Sequence, residues 1–585
     1  MKFRPIQSQI IAEVKNAVKS GKTDIFINAP TGVGKSVIAL ELAKHFNSSY
    51  ICTHEKMLQA QYERDIQNKF KAQYDKIAAS VAGNDTYSCH INGEPFSLGV
   101  CKTIGLGPSQ AAKTLDCAQS CEYILRQQKA KKAPIAIMNY SYWLVQMNYV
   151  FARNPKFAPF KRRELLICDE AHKAPDIIEN HFAPTLNKKI SVKLENLNAA
   201  APPNLFYLNP SALQSAIKNV LILGNLDGKK KIFQAVKKFF IELTKIHNAL
   251  ESAKEHFTNS FGLNQALDKN GKLDISKMSE NYNKLPAWVK QLFRVNDFYK
   301  DVHCKFEDAI DNIHRDGLFN LIIEHKDDEK VFHNLSDDNL FKNHMKRFAK
   351  IRIYMSATLN SDLLIQRWRL DRQNCHILNA DPMWDKNKSP IKLLNTANLK
   401  FLNVSNELPK LTNTIDNICE LFNDKRGIIH TTTYSITNFL FENSDFADRF
   451  LIYNNTAEKI NILNNLHKYP DNCILIGPSL TTGVDLYDDF GRFNIICKLS
   501  FPCIKNELWA ARYKYKKSIY FNEAALILEQ AAGRTTRNNK DFSTTYILDS
   551  RADYFIKRNS QFFSNSFLKR IVNPKPTRTR SRRCA

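Results

Sequence analysis

The segment Ala29–Ser36 restricts the possible folds of this chain more than any other stretch. It reads A-P-T-G-V-G-K-S and stands between the apolar run Asp24–Asn28, which predicts a buried strand, and a helical pattern from Lys35 to about Phe46. A strand, a glycine-containing loop and a helix in this order direct backbone N–H groups and a helix N-terminus at one point. Such a point binds phosphate oxygens, so the segment predicts a phosphate-binding α/β domain.

The positions of this loop follow G-x-x-x-x-G-K-[ST], with Ala29 in place of the first glycine. The two glycines allow close approach of the backbone to phosphate. Lys35 is expected to reach the β- and γ-phosphates, and the Ser36 hydroxyl is expected to bind Mg²⁺. The predicted nucleotide contacts of the loop are Thr31, Gly32, Val33, Gly34, Lys35 and Ser36.

An acidic pair follows a second apolar run, Leu165–Cys168. Asp169 and Glu170 come directly after this predicted strand, at the edge where open α/β sheets bind ligands. Asp169 is expected to hold Mg²⁺, and Glu170 to orient or deprotonate the attacking water. Together with the phosphate loop, the pair predicts hydrolysis of ATP.

A third motif, Gln-x-x-Gly-Arg-x-x-Arg, lies far along the chain. Gln530 falls near the end of a helical run, and Arg534 and Arg537 have the i, i+3 spacing expected for one helix face. Arginine fingers stabilise charge on a transferring phosphoryl group. The motif therefore predicts that a second α/β unit supplies catalytic groups across a cleft.

Four cysteines, Cys89, Cys101, Cys117 and Cys121, are separated by 11, 15 and 3 residues. They fall in a stretch without apolar periodicity, which indicates an insertion held by something other than a core. Thiolates suit iron–sulfur clusters and zinc, and the spacing alone does not choose between them.

The charge of the chain indicates its partner. With 84 Lys and Arg against 58 Asp and Glu, the formal net charge is +26, which fits a polyanion, usually nucleic acid. No apolar run is long enough to span a membrane and no signal peptide is evident, so a cytoplasmic protein is expected. The 18 Gly and 37 Phe, with many Lys and Asn, are typical of an AT-rich genome such as that of a phage. In that case the location would be the host cytoplasm.

The ordered motifs resemble those of superfamily 2 helicases, specifically the XPD/DinG-like iron–sulfur helicases. The resemblance covers nearly the whole chain. Arg4 and Gln7 resemble the adenine-side Q motif, and Gly483 and Asp485 lie in a segment like motif V. The remaining matches are Thr53, Leu58 and Gln61 (motif Ia), 169–172 (D-E-A-H), 354–359 (motif III), 427–431 (motif IV) and 530–537 (motif VI).

The resemblance implies two RecA-like α/β domains, the first carrying a four-cysteine [4Fe-4S] insertion and a helical Arch-like insertion. The expected divisions are 1–79, 131–172 and 349–379 for the first motor domain, 80–130 for the cysteine insertion, 173–348 for the helical insertion, 380–572 for the second motor domain and 573–585 for a basic tail.

The implied activity is ATP-driven 5′→3′ movement on single-stranded DNA with unwinding of tailed duplexes in repair, replication or recombination. The alternative is a translocase that removes proteins or RNA from DNA without processive unwinding. Zinc is the alternative occupant of the cysteines.

Overall fold

The structure is a computed structural model that describes residues 3–30, 32–68, 70–99, 101, 111, 116–153, 155–156, 158–224, 227–263, 275–380, 386–399, 404–480, 486, 488–535 and 541–572. Its described elements form two seven-stranded parallel sheets and one three-stranded antiparallel sheet. No described helix combines the length and apolar character needed to cross a bilayer.

The first parallel sheet has the strand order β10-β1-β9-β5-β2-β4-β3. Its strands are short and almost wholly buried because helices cover both faces, and this is why they read as continuous apolar runs. They are β1 (Asp24–Asn28), β2 (Ser49–Thr53), β3 (Ala78–Ser80), β4 (Ile135–Asn139), β5 (Arg163–Asp169), β9 (Ala349–Ser356) and β10 (Cys375–Asn379). The helices around it are α1 (Pro5–Lys19), α2 (Lys35–Lys44), α3 (Lys56–Asn68), α4 (Lys71–Tyr74), α5 (Glu122–Lys132), α6 (Tyr140–Val145) and α14 (Ser361–Arg367).

The second parallel sheet has the order β13-β14-β12-β15-β16-β11-β17. Its strands are β11 (Ile391–Ala397), β12 (Gly427–His430), β13 (Phe450–Leu451), β14 (Ile474–Gly477), β15 (Phe493–Ile496), β16 (Thr544–Asp549) and β17 (Ile571–Val572). Its helices are α15 (Val404–Leu421), α16 (Tyr434–Asn443), α17 (Thr456–Asn464), α18 (Glu507–Tyr515), α19 (Lys517–Ala532), α20 (Ala552–Arg558) and α21 (Asn565–Arg570).

The segment between β5 and β9 is less uniformly helical than its sequence predicts. Seven helices dominate its described part: α7 (Ala174–His181), α8 (Lys189–Ala200), α9 (Ser211–Ile222), α10 (Lys229–Ser260), α11 (Ile275–Lys284), α12 (Ala287–Asp316) and α13 (Asp337–His344). They accompany the antiparallel sheet of β6 (Thr185–Asn187), β7 (Leu321–Lys326) and β8 (Glu329–Asn334). The tight turn at 327–328 pairs β7 with β8, and this short hairpin was absent from the predicted elements.

This antiparallel sheet packs on helix α18 of the second parallel-sheet unit. An apolar cluster joins the two across the contact: Ile322, Leu335, Leu508 and Ala511. The Asn506 amide also donates to Glu324 at 2.6 Å. The insertion therefore rests on both parallel-sheet units.

A buried ionic junction runs beside this apolar cluster. Nη2 of Arg512 donates to Oδ1 of Asp176 at 3.0 Å and also to Glu179, and both carboxylates belong to α7. Lys516 Nζ lies 2.9 Å from Oδ2 of Asp337. Because Arg512 and Glu179 are each only 3% exposed, the charges compensate one another in a medium of low dielectric.

Candidate functional site

The phosphate loop adopts a backbone form that its two glycines permit without strain. Gly32 and Gly34 have φ of 87° and 88°, in the left-handed region that favours glycine. A Cβ at Gly34 would lie 2.5 Å from Nε2 of Gln7, so a side chain there would also displace Gln7. Thr31, a predicted nucleotide contact, lies outside the described residues.

The start of helix α1 supports this loop. Nη1 of Arg4 donates to the Gly32 carbonyl at 2.6 Å, and Nε2 of Gln7 donates to the Val33 carbonyl at 2.8 Å. The Gln7 side chain also accepts from the backbone N–H of Arg4 at 3.0 Å. The two residues predicted to lie near the nucleotide base thus contact the loop backbone directly.

The acidic pair stands opposite the loop lysine. Lys35 begins α2, and its Nζ is 3.8 Å from Oε1 of Glu170. Glu170 has a left-handed backbone with φ of 50°, and its N–H donates to Oδ1 of Asp169 at 3.0 Å. The Tyr62 hydroxyl donates to the other Asp169 oxygen at 2.9 Å. Each carboxylate is therefore held in a fixed direction at the end of β5.

The two carboxylates have opposite electrostatic environments. Burial, followed by the charge of Glu170, raises the pKa of Asp169 to about 6. Burial acts on Glu170 as well, but Lys35 and hydrogen bonds from His172 and Ser356 overcome it and lower the pKa of Glu170 below its ordinary value. The site consequently keeps Glu170 as the more readily ionised of the two.

Helix α3 contributes two polar residues that the sequence motifs did not identify. Tyr62 holds Asp169, and the buried Asp65 accepts from the Ser36 hydroxyl at a long distance of 3.5 Å. They are three positions apart and so share one face of the helix. The three-residue spacing of Tyr62 and Asp65 was visible in the sequence, but polar pairs with this spacing are common on amphipathic helices.

A polar chain leads from Glu170 into the second parallel-sheet unit. The Ser356 hydroxyl donates to Oε2 of Glu170 at 3.1 Å, and Nδ1 of His172 is 2.8 Å from the same hydroxyl. Nε2 of His172 is 3.1 Å from Nε2 of Gln530. An amide N–H donated to Nε2 leaves the imidazole proton on Nδ1, directed at Ser356 and Glu170.

Arg534 lies near the same cleft, but its local structure differs from the prediction. Helix α19 ends at Ala532 and Gly533 follows, so Arg534 stands beyond the helix and not on its face. Glycine has low helix propensity, which explains the early end. Burial lowers the pKa of the Arg534 guanidinium while Glu170 and Glu55 raise it, so its charge is felt at the acidic pair of the first sheet.

The structure does not test the positions of three other predicted site residues. Arg537, Gly483 and Asp485 lie outside the described residues. The basic tail at 573–585 lies outside them as well.

The four cysteines of the insertion converge on one small cavity. Cys89, Cys101, Cys117 and Cys121 line it together with apolar side chains that include Phe96 and Ile124. Cys89 and Cys121 are close enough for the first thiolate to raise the pKa of the second, after the larger effect of burial. Soft donors around an apolar space suit a thiolate-bound group. Within the described ranges, however, no three His, Cys, Asp or Glu side chains are arranged to hold a metal ion.

Comparisons with known proteins agree with this architecture. The family "Type III restriction enzyme, res subunit" matches residues 1–197, and the family "Helicase C-terminal domain" matches residues 415–569. A search of curated protein sequences finds no match.

Solved structures resemble the whole chain. An XPD helicase structure has a TM-score of 0.58 at 14% identity and covers 98% of this chain and 100% of its own. Xpd4 from S. tokodaii has a TM-score of 0.56 at 14% identity, with 97% and 100% covered. An apo XPD structure has a TM-score of 0.51 at 12% identity, with 97% and 100% covered. At these identities the likeness concerns the fold.

Proposed function

Because the chain is a superfamily 2 helicase of the XPD/DinG-like group, we propose that it moves 5′→3′ along single-stranded DNA and unwinds tailed duplexes. The two family matches indicate an ATP-dependent helicase, and we propose that it acts on DNA in repair, replication or recombination. We also propose that the protein is located in the cytoplasm.

One observation carries it: groups from both parallel-sheet units meet at one point. Lys35 and Glu170 belong to the first sheet, and Gln530 of the second reaches His172 at 3.1 Å. Hydrolysis at a site that two units build changes the contact between them. Repeated closure and opening can then move a bound strand.

The roles proposed for the site follow from the chemistry of each group. Lys35 contacts the β- and γ-phosphates, Ser36 and Asp169 hold Mg²⁺, and Glu170 activates water. Gln530, Arg534 and Arg537 act from the second unit on the transferring phosphoryl group. The other nucleotide contacts proposed are Arg4, Gln7, Thr31, Gly32, Val33, Gly34, Gly483 and Asp485.

The insertion at 80–130 is proposed to hold a [4Fe-4S] cluster on Cys89, Cys101, Cys117 and Cys121, with zinc as the alternative. Support comes from the shared cavity that these thiols line and from the family resemblance. A bound cluster would supply ligand bonds that join the separate stretches of this segment. The segment 173–348 is proposed to be an Arch-like insertion. The other domain boundaries are proposed as the sequence analysis gives them.

The test compares unwinding of 5′-tailed and 3′-tailed duplexes, each made with a DNA or an RNA tail, with ATP present or withheld. ATP-dependent strand separation restricted to 5′-tailed DNA supports the proposal. Lys35→Ala serves as the motor-dead control. Equal activity on RNA tails contradicts the choice of DNA. Hydrolysis stimulated by DNA without strand separation indicates the translocase alternative.

A further inference from the structure

An open groove of about 890 Å³ runs along the surface of the helical insertion, and its described lining contains none of the residues assigned above. It lies between α9 and α10, two consecutive helices that pack against each other. On α9 the lining includes Ala212, Ala216, Asn219 and Ile222, which are three or four positions apart and so share one helix face. Because α9 has 12 residues, this face is about 18 Å long, the length of about three helical turns.

Large apolar side chains are exposed on both walls of the groove. Ile222, the last residue of α9, is 67% exposed, and Ile241 of α10 is 55% exposed. The methyl groups of Ala212 and Ala235 also belong to the lining. Single exposed apolar residues are common on soluble proteins, but several that line one groove indicate a surface for another apolar surface.

The rim of the groove is basic. Its lining contains three lysines and one carboxylate, that of Glu242. Lys231 is compensated by Asp227, and Glu242 is compensated by a lysine of α10. Among the described residues, this leaves Lys237 and Lys238 without a carboxylate partner. The complementary occupant therefore has an apolar face with acidic residues beside it.

Other occupants match the groove less well. A single DNA strand would find no ring on which to stack its bases, because no aromatic side chain is among the described lining residues. The basic tail at 573–585 has the same sign of charge as the rim. A second copy of the chain carries the same net charge of +26, which opposes self-association.

We propose that the groove between α9 and α10 binds an acidic amphipathic helix of another protein. The apolar stripe of that helix packs on Ile222 and Ile241, and its Asp or Glu side chains pair with Lys237 and Lys238. A helix laid into an apolar groove is a recurring mode of peptide recognition. The inference goes beyond the proposed function, because it depends neither on the choice of DNA nor on the direction of movement.

The experiment selects helices of about 15 residues from a phage-displayed library against the full chain, and measures each selected peptide by fluorescence anisotropy. The selected helices are expected to carry Asp or Glu beside an apolar stripe. Ile222→Asp and Ile241→Asp should each weaken binding by about 30-fold, the loss expected of a hot-spot side chain. Leu421→Asp, at a leucine of the second unit that is 73% exposed, is the matched control and should bind normally.

Charge reversal gives an independent readout. The double variant Lys237→Glu, Lys238→Glu should slow association of the acidic peptide and reduce its dependence on salt. A peptide with Lys in place of its acidic residues should regain affinity for this variant.

Three results would overturn the inference and leave the proposed function standing. The first is a library that yields no binder, only basic helices, or helices that bind both Asp variants normally. The second is an oligothymidylate of about 20 nucleotides whose binding is lost in both Asp variants, which would assign the groove to nucleic acid. The third is a dimer of the unaltered protein in sedimentation that both Asp variants abolish, which would assign it to a second copy.

Discussion

The amide nitrogen of Gln530 lies 3.1 Å from Nε2 of His172, and this contact joins the second parallel-sheet unit to the acidic edge of the first. The imidazole continues through Ser356 to Glu170, so the position of one unit is transmitted to the carboxylate proposed to activate water. A helicase needs hydrolysis to depend on the arrangement of its two units. This chain of polar contacts is a short route by which that dependence can arise.

Replacement of Gln530 by Ala should lower DNA-stimulated ATP turnover by about fivefold, with a smaller change in KM. The reason is that one hydrogen bond of about 1 kcal/mol that orients His172 is lost. Steady-state hydrolysis with and without single-stranded DNA measures it. Gln561→Ala is the matched control, because Asn360 contacts only the backbone carbonyl of Gln561 across the same cleft. Normal turnover in Gln530→Ala would mean that the contact is purely structural.

Glu170→Gln should reduce ATP turnover by about 10²–10⁴ while leaving nucleotide affinity nearly unchanged. The amide cannot accept the proton of the attacking water, but it keeps the size of the side chain. Single-turnover hydrolysis and equilibrium nucleotide binding measure the two effects separately. Glu164→Gln, near the opposite end of β5, is the control. Retained turnover in Glu170→Gln would exclude Glu170 as the base.

The sequence predicted the two parallel sheets well because their strands are buried on both faces. Asp24–Asn28 has the predicted bounds, and the predicted strand Leu165–Cys168 extends by only a few residues to Arg163–Asp169. The short edge strand Ile571–Val572 and the hairpin of β7 and β8 were missed. Apolar and polar residues alternate only weakly in the hairpin, and the edge strand has few residues. Tertiary contacts therefore decide whether these segments form strands.

The residues of the proposed phosphate site could be recognised in the sequence for a related reason. Gly32 and Gly34 are needed for their left-handed backbone, and a lysine and two carboxylates are needed for phosphate chemistry, so these types are fixed in the sequence. The supporting residues Tyr62 and Asp65 were not predictable, because any polar pair on an amphipathic helix has the same pattern. The contact of Arg512 with α7 depends on the packing of distant segments, which local patterns do not encode.

Arg512→Met should destabilise the junction between the helical insertion and the second unit by about 3–5 kcal/mol. The substitution removes the cation that the half-buried Asp176 and the buried Glu179 share, and it leaves Asp176 with the more distant Arg367 at 3.7 Å. Urea denaturation measures the loss in the transition of this part of the chain. Lys514→Met removes an exposed charge from the same helix and should change stability by less than about 0.5 kcal/mol. Equal stability of the two variants would contradict the assigned role of the junction.

Stability should fall below pH 6.5 because buried histidines must remain neutral in the folded protein. Burial, then Arg347 and Arg315, lowers the pKa of His344 to about 3. The unfolded chain binds the proton near pH 6.5, so this stability is present above that pH and is lost as pH falls toward 3. The loss from this one residue at pH 5 is about 2 kcal/mol.

His344→Asn should remove the part of the pH dependence of stability that comes from protonation of His344. The ring of His344 stacks on Phe182 and contacts Asn148, so the variant also has a packing cost that does not depend on pH. Thermal denaturation at pH 8 measures the packing cost alone, and repetition at pH 5 measures the titration. An unchanged difference between the two pH values would show that His344 is protonated in the folded protein.

The cysteine insertion should lose its fold and its metal together. Cys89, Cys101, Cys117 and Cys121 share one cavity, so ligand bonds from them are expected to provide part of the folding free energy of this segment. If a [4Fe-4S] cluster is present, anaerobically purified protein should contain about four irons per chain and be brown. Cys117→Ser should bleach the colour and expose residues near 80–130 to proteolysis, while Cys503→Ser, at an exposed cysteine, should do neither. Some ATP hydrolysis should survive, because the phosphate loop and the acidic pair belong to the surrounding sheet, whereas unwinding should be lost.

One zinc per chain without colour would identify the alternative metal. Metal-free protein that unwinds normally, with all four serine variants active, would show that these thiols bind nothing and serve only as small apolar side chains.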